Sequence, residues 1–136
     1  MNQVEAKQLR LSLKRKWFEM TAAGIKTEDY REINSYWANR LLINSHGKKE
    51  SRKYWRIFDC TTSDNWVRYI INASNVGKTT FVQFDANTMT LGYPSKGDKS
   101  RILLFEHAGI EIRTGNPEWG AEPNKLYFVI KHGARI

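Results

Sequence analysis

Residues 9–24, LRLSLKRKWFEMTAAG, change their hydrophobic period partway along. Leu9, Leu11 and Leu13 alternate with Arg10, Ser12 and Lys14, the period-2 pattern of a half-buried strand. Trp17, Met20 and Thr21 then lie at i, i+3 and i+4, with Phe18 and Ala22 beside them, which predicts a short helix over 15–23. Gly24 follows where a helix usually needs a left-handed residue. The chain therefore opens with strand and helix directly joined. Arg15 and Lys16 fall in the first helical turn, the wrong end for cations by the dipole rule, at a local cost of roughly 0.3–1 kcal/mol. Either that end is fully solvated or an anion is expected there.

The next segments extend this frame. Residues 26–33 read as extended chain. Ser35 is placed to cap a second helix whose apolar face holds Tyr36, Trp37, Arg40, Leu41 and Leu42. Residues 43–53, INSHGKKESRK, read as a polar, basic loop and YWRIF (54–58) as a strand. Periodicity leaves WVRYII (66–71) open between strand and helix. TTFVQF (79–84) has strand composition, LGYPSKGDKS (91–100) is a turn-rich connection, and RILLFEHAGIEIR (101–113) is one long strand or two broken near Gly109. After the irregular TGNPEWGAEPNK, LYFVIK (126–131) is a closing strand. The sum is an α+β chain, mainly β with two N-terminal helices packed on the strands, most easily closed as a small β-barrel.

With 136 residues the chain has the size of one domain and needs no staples to bury a core. No stretch is apolar enough to span a bilayer, and MNQVEAKQLR lacks the apolar region of a signal peptide. A single cysteine, Cys60, excludes an internal disulfide and is expected to be a buried structural thiol. Together these predict a cytoplasmic protein. His46, His107 and His132 have no metal-ligand spacing, so neither metal nor cofactor is expected. NASNVGKTT carries Gly77, Lys78 and Thr79 of a phosphate-binding loop but has Asn72 where the first glycine belongs, and it is set aside.

Charge points to a partner class. Twenty-two basic and 14 acidic residues leave +8, which favours a polyanion. The cations cluster at Lys14–Lys16, at 48–56 and at Lys96, Lys99 and Arg101, with Trp17, Phe18, Tyr54 and Trp55 interleaved. Cation beside aromatic is the chemistry that holds phosphates and stacks bases. The plainer alternative is core tryptophans beside a solvated edge.

GIKTEDYRE (24–32) concentrates Lys26, Asp29 and Arg31 just after the first helix. On an extended strand Thr27, Asp29 and Arg31 share one face, and Lys26, Glu28 and Tyr30 the other, with the long stem of Lys26 able to reach round from the turn. A salt bridge that merely fixes the strand is the structural alternative. This segment resembles the ASCH domain signature G-x-K-x-x-E-x-R: Gly24, Lys26 and Arg31 match, and Asp29 stands for the family's glutamate. LRLSLKRKWFEMTAAG resembles the family's opening strand and helix, SYWANRL the helix after the signature, and PEWGAEPNKLYFVI its closing segment. The resemblance covers residues 8–43 and 101–133. Residues 44–90 stand as a family-variable insertion within one domain, 1–136.

The resemblance implies a PUA-like barrel with a basic cleft lined by the signature, and an RNA- or nucleotide-binding role. Ser12, Lys14, Lys26, Asp29, Arg31 and Trp119 are the expected binding residues, Trp119 as a stacking wall or a core plug. A branch of the family hydrolyses N4-acetylcytidine, and some relatives are ribonucleases. The alternative is therefore a hydrolase of a modified nucleoside or of RNA, with Lys26 as base or charge stabiliser and Asp29 assisting. The branch's threonine nucleophile position is Asp29 here, and Thr27 lies two residues earlier. A protein-interaction domain is the weaker third reading.

Overall fold

The computed structural model describes residues 7–56, 63–95 and 97–136, without the side chains of residues 52, 63, 64 and 66. Cys60, Lys96, the end of YWRIF and the first six residues lie outside this description. In chain order the elements are β1 (Gln8–Leu13), α1 (Arg15–Ala22), β2 (Glu28–Arg31), α2 (Ser35–Leu41), β3 (Leu42–Asn44), α3 (Arg52–Arg56), α4 (Ser63–Asn75), β4 (Thr79–Phe81), β5 (Ala86–Leu91), β6 (Ile102–Thr114) and β7 (Leu126–Arg135). Short 3-10 turns cover Lys99–Arg101 and Pro117–Trp119. The class is α+β, as expected. Five strands are hydrogen-bonded in the order β1-β5-β6-β7-β2, and β3 pairs with β4.

The chain divides into two compact units. The first holds residues 1–29, 83–110 and 130–136; the second holds 30–82 and 111–129. In the first, β1 runs parallel to β5 with Leu9 opposite Asn87, and β5 runs antiparallel to β6 with Asn87 opposite Phe105. Leu9, Leu11 and Leu13 are buried as the alternation predicts, with Phe18, Met89 and Leu103. The α1 helix packs on β1 and β5. Its end is a Schellman motif: the Ile25 amide reaches the Met20 carbonyl at 3.0 Å, the Gly24 amide reaches Thr21 at 3.1 Å, and Gly24 adopts φ +76°.

In the second unit the structure corrects several expectations. Asn34, not Ser35, caps α2; its side chain accepts from the Trp37 amide at 3.0 Å. The buried face of α2 is Ala38 and Leu41, because the helix ends at Leu41 and Leu42 opens β3, while Tyr36 is exposed. The α2 helix packs against α3 and β3. Residues 52–56, within the expected loop and strand, are helical. Ser51 caps the turn by accepting from the Tyr54 amide at 3.2 Å, and Trp55 is buried. The open segment 66–71 is helical too, burying Val67, Ile70 and Ala73 at threefold spacing. Gly77 ends α4 in a second Schellman motif, its amide on Ser74 and that of Lys78 on Ala73, before β4. Helix then strand is the reverse of the order a phosphate-binding loop requires, so setting that motif aside stands. The β5 strand carries no strand signature in the sequence, since Asn87, Thr88 and Thr90 interrupt its apolar positions. After Arg101, which ends a 3-10 turn, ILLFEHAGIEIR lies in one strand, with Gly109 at φ +109°.

Candidate functional site

Lys26 and Asp29 are brought together. The Schellman turn leaves Ile25 exposed and swings Lys26 inward, so that both Lys26 and Asp29 are only 3% exposed. The Lys26 ammonium donates to one oxygen of Asp29 and, at 2.6 Å, to the Glu28 carbonyl. The second oxygen of Asp29 accepts from His132 Nε2 at 2.6 Å. Backbone pairing supports this, with the His132 amide on the Thr27 carbonyl at 3.0 Å.

The network continues through residues the sequence reading did not single out. Asn87, fully buried near the start of β5, places Nδ2 2.8 Å from His132 Nδ1 and 3.1 Å from the Lys131 carbonyl. Its Oδ1 lies 2.7 Å from Nδ1 of the half-buried His107. These contacts fix the protons. The Lys131 carbonyl can only accept, so Nδ2 faces it and also donates to His132. His132 therefore accepts at Nδ1 and donates from Nε2 to the carboxylate, while His107 donates from Nδ1 to Asn87. Donation thus runs from His107 through Asn87 and His132 to Asp29, which accepts from Lys26 on its other oxygen, and the run holds one cation and one anion. Phe105 flanks His132 at 5.8 Å between ring centroids, and Phe84 flanks His107 at 5.4 Å.

The electrostatics agree. Burial alone would push the Asp29 carboxyl up, but the hydrogen bond from His132 and the charge of Lys26 outweigh it, and the group falls from 3.8 to about 2. Burial, with the charge of the nearby Lys131, lowers His107 and keeps it neutral near pH 7. Among the described residues no group of His, Cys, Asp and Glu side chains is placed to hold a metal ion.

Ser12 and Lys14 lie elsewhere in the same unit, at the exposed end of β1. They line a shallow depression of about 450 Å³ with Leu13, Arg15, Leu91, Gly92 and Arg101. Lys14 is the N-cap residue of α1 yet no side chain caps that end, and the first turn holds no acid. Arg15 pairs loosely with Glu19 at 3.6 Å, both side chains about two-thirds exposed. Ser12 Oγ donates to the Gly92 carbonyl at 3.3 Å. Arg31 and Trp119 belong to the second unit. There Arg31 lies over the Trp37 ring at 5.2 Å, and Trp119 ends the 3-10 turn, half-buried.

Compared with protein-family models, curated proteins and solved structures, the chain matches none. No helix among the described residues is long and apolar enough to cross a membrane.

The three residues that sequence reasoning missed are His107, Asn87 and His132. His107 falls on a segment readable as a strand and His132 directly follows one, which was the available signal. Their meeting depends on β5, β6 and β7 being neighbours.

Proposed function

We propose that the chain is an RNA- or nucleotide-binding module of the PUA-like, ASCH type, acting in the cytoplasm. One observation carries the reading: among the described residues, the depression at the start of α1 is lined by Lys14, Arg15 and Arg101 with Ser12, and by no carboxylate. Three cations beside the positive end of the α1 dipole are unfavourable on their own and favourable once an anion arrives, and a nucleic-acid phosphate supplies it. The net charge of +8 draws such a partner in. In this reading Lys26 and Asp29 brace the strands behind the surface. In the second unit, Arg31 and Trp119 serve as further contacts for a polyanion. Lys26 as a general base is less favoured, because a base needs an available lone pair, and this ammonium is buried and bound to a carboxylate.

The test is binding of labelled single-stranded RNA across a salt series, with Lys14→Ala/Arg101→Ala beside the wild type. The expected result is salt-sensitive binding whose slope of log K against log salt shrinks by about 1.4 in the variant, about 0.7 per lost phosphate contact. Equal binding by both proteins, or none at low salt, refutes it. RNA cleaved, or N4-acetylcytidine deacetylated, by the wild type and not by Lys26→Met would establish the hydrolase instead.

A further inference from the structure

The second unit contains a concave site that neither the signature nor the basic depression uses. It lies on α2 and α3, is lined by Ser35, Tyr36, Asn39, Arg40 and Arg56, and has a volume of about 410 Å³. Small-molecule sites typically run about 300–1,000 Å³. Its described lining has two guanidinium groups and no carboxylate, so it selects anions. The nearby Glu50 is engaged: its side chain accepts from Asn44 at 3.2 Å and its carbonyl from Asn39 Nδ2 at 3.1 Å.

The cation at this site is pre-set. Arg40 Nη1 donates to the Tyr36 hydroxyl at 2.9 Å, and its guanidinium lies 5.6 Å from the Tyr36 ring centre and 5.0 Å from that of Trp37. Tyr36 and Trp37 meet edge-on at 5.1 Å, which steadies the tyrosine. Held in this way, Arg40 loses little freedom when an anion binds. Tyr36 is nevertheless 54% exposed. A flat aromatic group can stack on the open part of that ring or on the guanidinium plane, while Arg56 reaches the same anion. With Nδ2 on Glu50, Asn39 offers Oδ1 as an acceptor for a base amino group.

We infer that this site binds a phosphorylated nucleotide, with the base on Tyr36 and the phosphate on Arg40 and Arg56. The inference stands apart from the RNA reading, because its residues all lie in the second unit and those of the basic depression all lie in the first.

Calorimetric titration of the full chain with AMP, adenosine, inorganic phosphate and phosphotyrosine tests it. AMP is expected to bind one to one, at least tenfold tighter than the other three. Arg40→Gln and Arg56→Gln should each weaken AMP at least tenfold, and Tyr36→Ala at least fivefold. Arg56 is exposed, so Arg56→Gln keeps the test valid should changes in α2 disturb folding. Lys14→Ala/Arg101→Ala should bind AMP as the wild type does, whatever becomes of its RNA binding. The inference is overturned if AMP fails to saturate, if phosphate or phosphotyrosine binds as tightly, if Arg56→Gln leaves affinity unchanged, or if affinity falls only in Lys14→Ala/Arg101→Ala.

Discussion

Replacing Asp29 by asparagine tests the buried network most directly. Asp29 accepts from two donors, the Lys26 ammonium and His132 Nε2–H. Asparagine keeps the shape but has one acceptor oxygen, so its NH2 must face one of those donors. It also leaves the Lys26 charge buried without its counter-ion. Removing one partner of a buried pair costs about 3–5 kcal/mol. Against a total stability of about 5–15 kcal/mol, that is a large fraction. The double variant Lys26→Met/Asp29→Asn sharpens the argument. Without the cation, the asparagine oxygen can turn wholly to His132, and methionine fills the space of the lysine stem. The double variant should therefore be more stable than Asp29→Asn alone. The pH dependence supplies a second readout. The Asp29 carboxyl is lowered from 3.8 to about 2, so the unfolded chain takes up its proton first. Its contribution is complete above pH 4 and is lost as pH falls through about 2. The gap between 3.8 and about 2 corresponds to roughly 2 kcal/mol. Urea unfolding followed by circular dichroism, for wild type and both variants between pH 2 and 7, measures all of this. Additive losses in the double variant, or a wild-type acid step that persists in Asp29→Asn, would show that Asp29 is not the buried counter-ion of Lys26.

Four further outcomes are expected. Asn87→Leu should cost about 1–3 kcal/mol or more, because it strips partners from His107, His132 and the Lys131 carbonyl together; chemical denaturation measures it. Long-range nitrogen–proton NMR of the imidazoles should show the proton of His132 on Nε2 and that of His107 on Nδ1, and the opposite pattern would break the proton assignment. His107 is lowered from 6.5, so the unfolded chain binds its proton more readily and stability should decline as pH drops below about 6.5; the urea midpoint of His107→Gln should decline less between pH 7.5 and 5.5. Gly115→Ala should cost about 1–3 kcal/mol in a thermal melt, because its Cβ would meet the Tyr30 ring at 2.6 Å and Ala121 at 2.7 Å.

Local elements were legible where one short window holds the whole signal. The leucine alternation of β1, the helix after it and Gly24 at its end all depend on neighbours within about four residues, the range over which periodicity and capping act. The same windows misread 52–56, where Trp55 and Tyr54 have strand composition but Ser51 caps a helix whose one buried anchor is Trp55. They gave no strand at 86–91, because a strand carrying Asn87, Thr88 and Thr90 looks polar until its partners are known. Lys26 and Asp29 stood out by sequence spacing. Their burial did not, since charged residues are rarely buried without partners and one partner, His132, lies 103 residues away.

The α+β class, the strand-helix-glycine opening, the excess of positive charge and the nearness of Lys26 to Asp29 are all written in residues close together along the chain. What surrounds that pair follows from tertiary packing. Asn87 reaches His107 and His132 because β6 and β7 follow β5 in the sheet, and strand order is set by the burial of whole faces rather than by any local motif. A carboxylate and an ammonium three residues apart can be solvated neighbours or a sealed pair. Desolvation, which depends on every strand and helix packed around them, makes the difference.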